Sequence, residues 1–173
     1  CLTSVEAQSN RLSIFFLDKS ISVEDKSFAE AKTRKYLDQA LRDQVQKSGD
    51  MVVLVYLFGN VESAVNREVF IYDLPTMQER KMTTSQRKLA EIKLKKRIRN
   101  YDKRFRDQIM TAAFAKQANQ QETEIMASVR VLASLIQQYP NHEVIVAYYS
   151  DMRESSSFRE MYNGSANEIR SHH

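Results

Sequence analysis

Tryptophan is missing from the 173 residues, and the chain holds only three glycines, two prolines and one cysteine. A single cysteine rules out an internal disulfide and any metal cluster built from cysteines. So little glycine and proline leaves scant material for the turns of a loop-rich or all-β protein, and argues for long helices. Gly49, Gly59 and Gly164 are too far apart to make a glycine-rich phosphate loop. Of the three histidines, two fall in Arg170-Ser171-His172-His173, which reads as the beginning of a purification tag and is set aside. His142 remains, after the Pro140-Asn141 turn and on the amino side of its strand. No His/Cys zinc set and no Ser-His-Asp grouping can therefore be assembled. The expectation is a protein that is not an enzyme.

Long hydrophobic runs are also missing: none approaches the roughly 20 residues of a membrane-spanning helix. The first residue is Cys1, with no methionine before it. One reading is a bacterial lipoprotein acylated at Cys1, held at the cell envelope or in the periplasm by a polar tether over residues 1–10. The other is an arbitrary starting point, which leaves a cytoplasmic protein open.

What the chain does have is 42% hydrophobic residues, enough for one domain with a substantial core. Its formal charge of +4 is unevenly spread. Residues 80–107 hold twelve Lys/Arg against Glu91, Asp102 and Asp107, a net of +9, so the remainder carries −5. The basic character belongs to one segment.

Three apolar runs organise the rest. Residues 11–17 run into Asp18, and the absence of polar alternation reads as a strand buried on both faces, as in parallel sheets covered by helices. Asp18, Ser20 and Ser22 follow at alternate positions, at the carboxyl end of the strand, where open α/β sheets place their ligands. Three oxygen side chains there suit a hard cation with positions left over. Ser22 with Asp25 also makes a capping pattern, and predicts a helix over about 24–46 with Phe28, Ala31, Leu37, Leu41 and Val45 inward. Gly49 is a candidate left-handed cap. Residues 51–58 are the second buried strand. Residues 67–72 alternate more, and suit an edge strand antiparallel to its predecessor. Thr83, Thr84 or Ser85 then caps a helix reaching about residue 118, with Leu94, Ile98, Tyr101, Phe105, Ile109 and Ala112 as one buried stripe. A further amphipathic helix carries Ile125, Val129, Leu132 and Ile136. Residues 144–149 form the third apolar run, ending in Ser150-Asp151. The domain is thus expected over residues 11–162, with a tail over 163–173.

Asp18-Lys19-Ser20-Ile21-Ser22 together with Ile145-Val146-Ala147-Tyr148-Tyr149-Ser150-Asp151 resembles the von Willebrand factor A domain. The resemblance covers roughly residues 11–155. It implies a three-layer α/β/α fold around a doubly wound, mostly parallel sheet with one antiparallel edge strand. It also implies a metal-ion-dependent adhesion site, in which Asp18, Ser20, Ser22, Thr123 and Asp151 hold Mg²⁺ or Mn²⁺ and a partner protein supplies a carboxylate. Ile21 stands where the family commonly has glycine, and the long basic helix is not a usual family feature. The family sheet continues past this chain's last apolar run, so the edge there needs a cover, with an oligomer formed through it as one option.

Each feature has a plainer reading. Ser22 serves equally as a helix cap. Thr123 caps a helix as readily as it binds metal. A phosphotransferase with an aspartate nucleophile would want a second acid where Ser20 stands. The basic helix is either a solvated face whose Lys and Arg stems cover apolar surface, or a protein-docking face, or a contact for nucleic acid or an anionic surface through Lys93, Lys96, Arg99 and Lys103. The leading expectation is a metal-dependent protein-binding or scaffolding module, the alternative being binding of nucleic acid or an anionic surface with a vestigial metal site.

Overall fold

Leu12 to Leu17 are all buried, and they form most of β1 (Asn10–Leu17), the strand on which the others are arranged. A computed structural model of the chain describes residues 9–18, 26–57, 60–77, 82–115 and 125–150, with residues 26–30 described for their backbone only. After β1 come α1 (Lys26–Gln44), β2 (Met51–Tyr56), β3 (Arg67–Ile71), α2 (Thr84–Phe114), α3 (Ile125–Gln138) and β4 (His142–Tyr149). The sheet order is β3-β2-β1-β4. β1 runs parallel to both β2 and β4, while β3 is antiparallel to β2. The expected mixed α/β domain with a mostly parallel sheet and an antiparallel edge strand is therefore present.

Because side chains alternate across a strand, β1 and β2 each feed two cores. Phe15, Leu17, Val52, Leu54 and Tyr56 pack with Leu37 and Leu41 of α1, with Val45 just after it, and with Phe105, Ile109 and Ala113 of α2. Leu12, Ile14, Phe16, Met51, Val53 and Val55 pack with Ala127, Val131 and Leu135 of α3. Each fully buried aliphatic or aromatic side chain contributes about 1.5–3 kcal/mol. Two covered faces demand the mostly apolar sequence of β1 and β2, in which Ser13 is the one polar residue among the fully buried positions. Parallel neighbours also need crossovers. The first runs from β1 through α1 to β2. The second runs through α2 and α3, and returns the chain to the opposite side of β1 as β4.

At the amino end of the sheet Gly49 has the expected positive φ, +94°, but it lies past the end of α1 and shapes the turn into β2 rather than capping the helix. Its N–H donates to Tyr72 O at 2.8 Å. A Cβ there would meet the Asn10 side-chain amide, which can move aside, so it is the positive φ that selects glycine.

Several expectations need correction. Ala31 is exposed on α1. On α3 the inward positions are Ala127, Ser128, Val131 and Leu135, while Val129 and Ile136 are 56% and 44% exposed. Small residues win because α3 lies close to the sheet, where the Ser128 hydroxyl is 2.9 Å from Tyr148 OH. α2 ends at Phe114, and its stripe is buried only in part: Phe105, Ile109 and Ala113 are inside, whereas Leu94 and Ile98 are half-buried and belong to neither core. β4 is half-buried along nearly its whole length, because it borders the sheet among the described residues.

Candidate functional site

The order β3-β2-β1-β4 makes the chain leave β1 on one side and come back on the other, so the carboxyl ends of β1 and β4 flank the switch point. Open α/β sheets bind ligands there because the two crossovers diverge and leave a crevice. Leu17 is paired with Tyr149 in the register, and the strands end together. Asp18 N then donates to Tyr149 O at 2.9 Å, and Leu57 N to Leu17 O at 2.9 Å, which fixes where the Asp18 side chain starts. The hydroxyl of Ser150 donates to Asp18 Oδ2 at 2.8 Å, joining residues 132 apart in the chain. Both residues are half-buried and make further interactions.

The floor under this pair is aromatic. Phe16 and Tyr148 stack with centroids 4.4 Å apart and planes 11° from parallel, on the α3 side. On the other side Phe15 and Tyr149 meet at 6.1 Å. Burial pushes the Tyr149 phenol above its usual range, so it stays neutral and packs as an aromatic wall. Ser128, in the first turn of α3, bonds to Ile125 O and sits against Tyr148 OH, so the start of α3 lies at this same end of the sheet.

Of the five oxygen donors expected from the sequence, Asp18 is among the described residues. Ser20, Ser22, Thr123 and Asp151 lie outside them, as does Cys1. Among the described residues no three His, Cys, Asp or Glu side chains gather as a metal cluster. Ser150, which in the sequence reads more as a plain loop residue than as a support for the site, is in contact with Asp18. The signal for it was the equal length of two parallel strands, which sets the residues after each at one level.

The other sequence-derived site lies elsewhere. Lys93, Lys96, Arg99 and Lys103 are all exposed on α2. Where α2 meets the rest of the protein one of its cations is paired with carboxylates. Arg106, 16% exposed, bonds Asp102 at 2.8 Å and Asp38 of α1 at 3.4 Å. Burial works against that guanidinium charge, but the two carboxylates outweigh it and its pKa is raised. Below Tyr101 no such partners occur among the described residues, apart from Arg87 with Glu91 on the same helix at 3.5 Å. No described helix is long and apolar enough to cross a membrane. No protein-family model matches the chain, and no curated protein matches it.

Proposed function

We propose that the protein is a metal-dependent protein-binding module. In this reading its fold is a three-layer, doubly wound arrangement of the von Willebrand factor A kind, with a divalent cation held at the carboxyl end of the sheet. The observation that carries it is the Ser150–Asp18 hydrogen bond, which joins the ends of β1 and β4 at the switch point. The Asp-x-Ser-x-Ser run opens at Asp18 itself, and Asp151 follows Ser150 directly in the chain. Carboxylate and hydroxyl oxygens with no nitrogen or sulfur suit Mg²⁺ or Mn²⁺, whose hard character favours such donors. Asp18 and Asp151 would bind the ion, Ser20, Ser22 and Thr123 would add hydroxyls, and a partner's carboxylate would complete the sphere. Helices α1 and α2 on one face and α3 on the other support the layered fold.

Calorimetric melting with and without Mg²⁺ or Mn²⁺ tests the reading. A cation that binds only the folded chain stabilises it by about 2.7 kcal/mol at a hundred-fold excess over Kd. Wild type is expected to melt several degrees higher with the ion, and Asp18→Asn, which preserves shape, to lose the gain. Equal shifts in both proteins, or none in wild type, would sink the cation site.

A further inference from the structure

The first half of α2 packs on neither core among the described residues. The helix is 31 residues long, and its contacts with the cores begin at Tyr101. Tyr101 packs on Tyr72 at 5.5 Å, its phenol oxygen accepts from Asp73 N at 3.0 Å, and Phe105 meets Tyr72 at 5.0 Å. These contacts lie at the amino end of the parallel strands, since Tyr72 follows antiparallel β3 and bonds to Asp50 at the start of β2. Ascending from there, Ala112 O reaches Tyr56 at the far end of β2. Residues 84–100 therefore extend beyond the sheet, away from Asp18, and none of them is buried. At 1.5 Å per residue they make a rod of roughly 25 Å.

That rod holds Arg87, Lys88, Lys93, Lys95, Lys96, Arg97 and Arg99 against Glu91 alone, a net of +6, and all seven cations are exposed. At 100° per residue they fall on every side of the cylinder. Its apolar residues are divided. Leu89 and Ile92, 54% and 65% exposed, lie on one side, with Leu94 and Ile98 nearly opposite. A helix lying on a bilayer needs one apolar face, which this division denies it. A coiled-coil partner needs a sustained apolar seam, and the stripe of Leu94 and Ile98 continues backwards as Glu91 and Arg87. Cations all round instead match a trench with negative charge on both walls.

We infer that the projecting half of α2 is a docking rod for double-stranded DNA, entering the major groove with its Lys and Arg side chains on the phosphates of both strands. The groove is about 12 Å wide, and a helix with side chains is about 10–12 Å across. Contacts of this kind position a protein without reading sequence, so the preference among sequences is weak. The inference does not depend on the cation site, which lies at the opposite end of the sheet.

Fluorescence anisotropy with a labelled duplex of roughly 25 base pairs tests it, run from about 50 to about 200 mM salt. Wild type is expected to bind at low salt, with log K falling against log salt at a slope of about −4 to −6. The quadruple variant Lys93→Gln/Lys96→Gln/Arg97→Gln/Arg99→Gln keeps its circular dichroism, because all four side chains are exposed. It is expected to bind at least about ten-fold more weakly, with a slope shallower by up to about 4. Absence of duplex binding at low salt overturns the inference, as does a variant with unchanged slope. Equal affinity for an RNA duplex, whose deep groove excludes a helix, overturns the groove geometry. Sedimentation with phosphatidylglycerol vesicles without any grip on DNA makes the rod a membrane contact instead.

Discussion

Asp50 is the buried acid among the described residues, 1% exposed, and no cation neutralises it. Its Oδ1 accepts from Arg11 N at 2.9 Å, and its Oδ2 from Gln46 N at 2.8 Å and Lys47 N at 2.9 Å. Its carbonyl accepts from Tyr72 N at 2.8 Å. One residue thereby ties the start of β1, the end of α1 and the residue after β3 to the start of β2. Hydrogen bonds from backbone donors to a carboxylate are worth more than neutral ones, and donors stranded in a dry site cost about 1–3 kcal/mol each. Asp50→Ala should therefore lower stability by about 3 kcal/mol or more in urea denaturation, and Asp50→Asn by less, since one oxygen still accepts. A loss under about 1 kcal/mol for the alanine variant would show that water replaces the carboxylate. None of this was legible in the sequence, where Asp50 reads as an ordinary turn residue after Gly49. A carboxylate facing three amide groups is a tertiary fact. Asp18 was legible, because an acid that ends an apolar run is visible in the chain itself. Its partner Ser150 needed the strand register.

The elements divide by how much their sequence depends on neighbours. β1 and β2 declare themselves, because a strand covered on both faces favours apolar residues almost throughout, Ser13 being the buried exception. α3 does not: its residues support two apolar stripes, and the sheet takes the one with Ala127 and Ser128, leaving Met126 and Val129 outside. On α2 the spacing Leu94-Ile98-Tyr101-Phe105-Ile109 is regular throughout, so periodicity alone extends the buried stripe past the point where the sheet ends. Length, not pattern, decides this. Substitution distinguishes the halves. Ile109 is fully buried, and Ile109→Ala should cost about 2–5 kcal/mol. Ile98→Ala, on the rod, should cost less than about 0.5 kcal/mol, because alanine is the better helix former and little apolar area is lost. Equal costs at the two positions in urea melts would mean that residues 84–100 are packed after all.

Across the whole molecule the two borders of the sheet are treated differently. β4 brings its half-buried apolar residues to one border, while the β3 border is stitched to α2 by two tyrosines. The Tyr56 phenol, 1% exposed, has one proton for two acceptors, Glu68 Oε1 of β3 at 2.7 Å and Ala112 O of α2 at 3.0 Å. Tyr72, 4% exposed, lies 3.4 Å from Asp102 of the same helix. Burial, and then the neighbouring carboxylate, raise both pKa values, that of Tyr72 to about 12 and that of Tyr56 further. An unfolded tyrosine loses its proton near pH 10, so above that the unfolded chain holds fewer protons than the folded one. Stability contributed by these phenols is complete below pH 10 and declines as pH rises towards 12 and beyond. The slope is up to about 1.4 kcal/mol per pH unit for each. Urea midpoints collected from about pH 8 to about pH 11.5 should stay level at first and then fall. Tyr56→Phe/Tyr72→Phe should start less stable, having lost the stitching bonds, yet follow a flatter alkaline limb. Lysine deprotonation affects both proteins alike, so the difference between their limbs isolates the phenols. Parallel limbs would mean that the β3 border opens to solvent before either tyrosine ionises, and that α2 is held to the sheet by its apolar contacts alone.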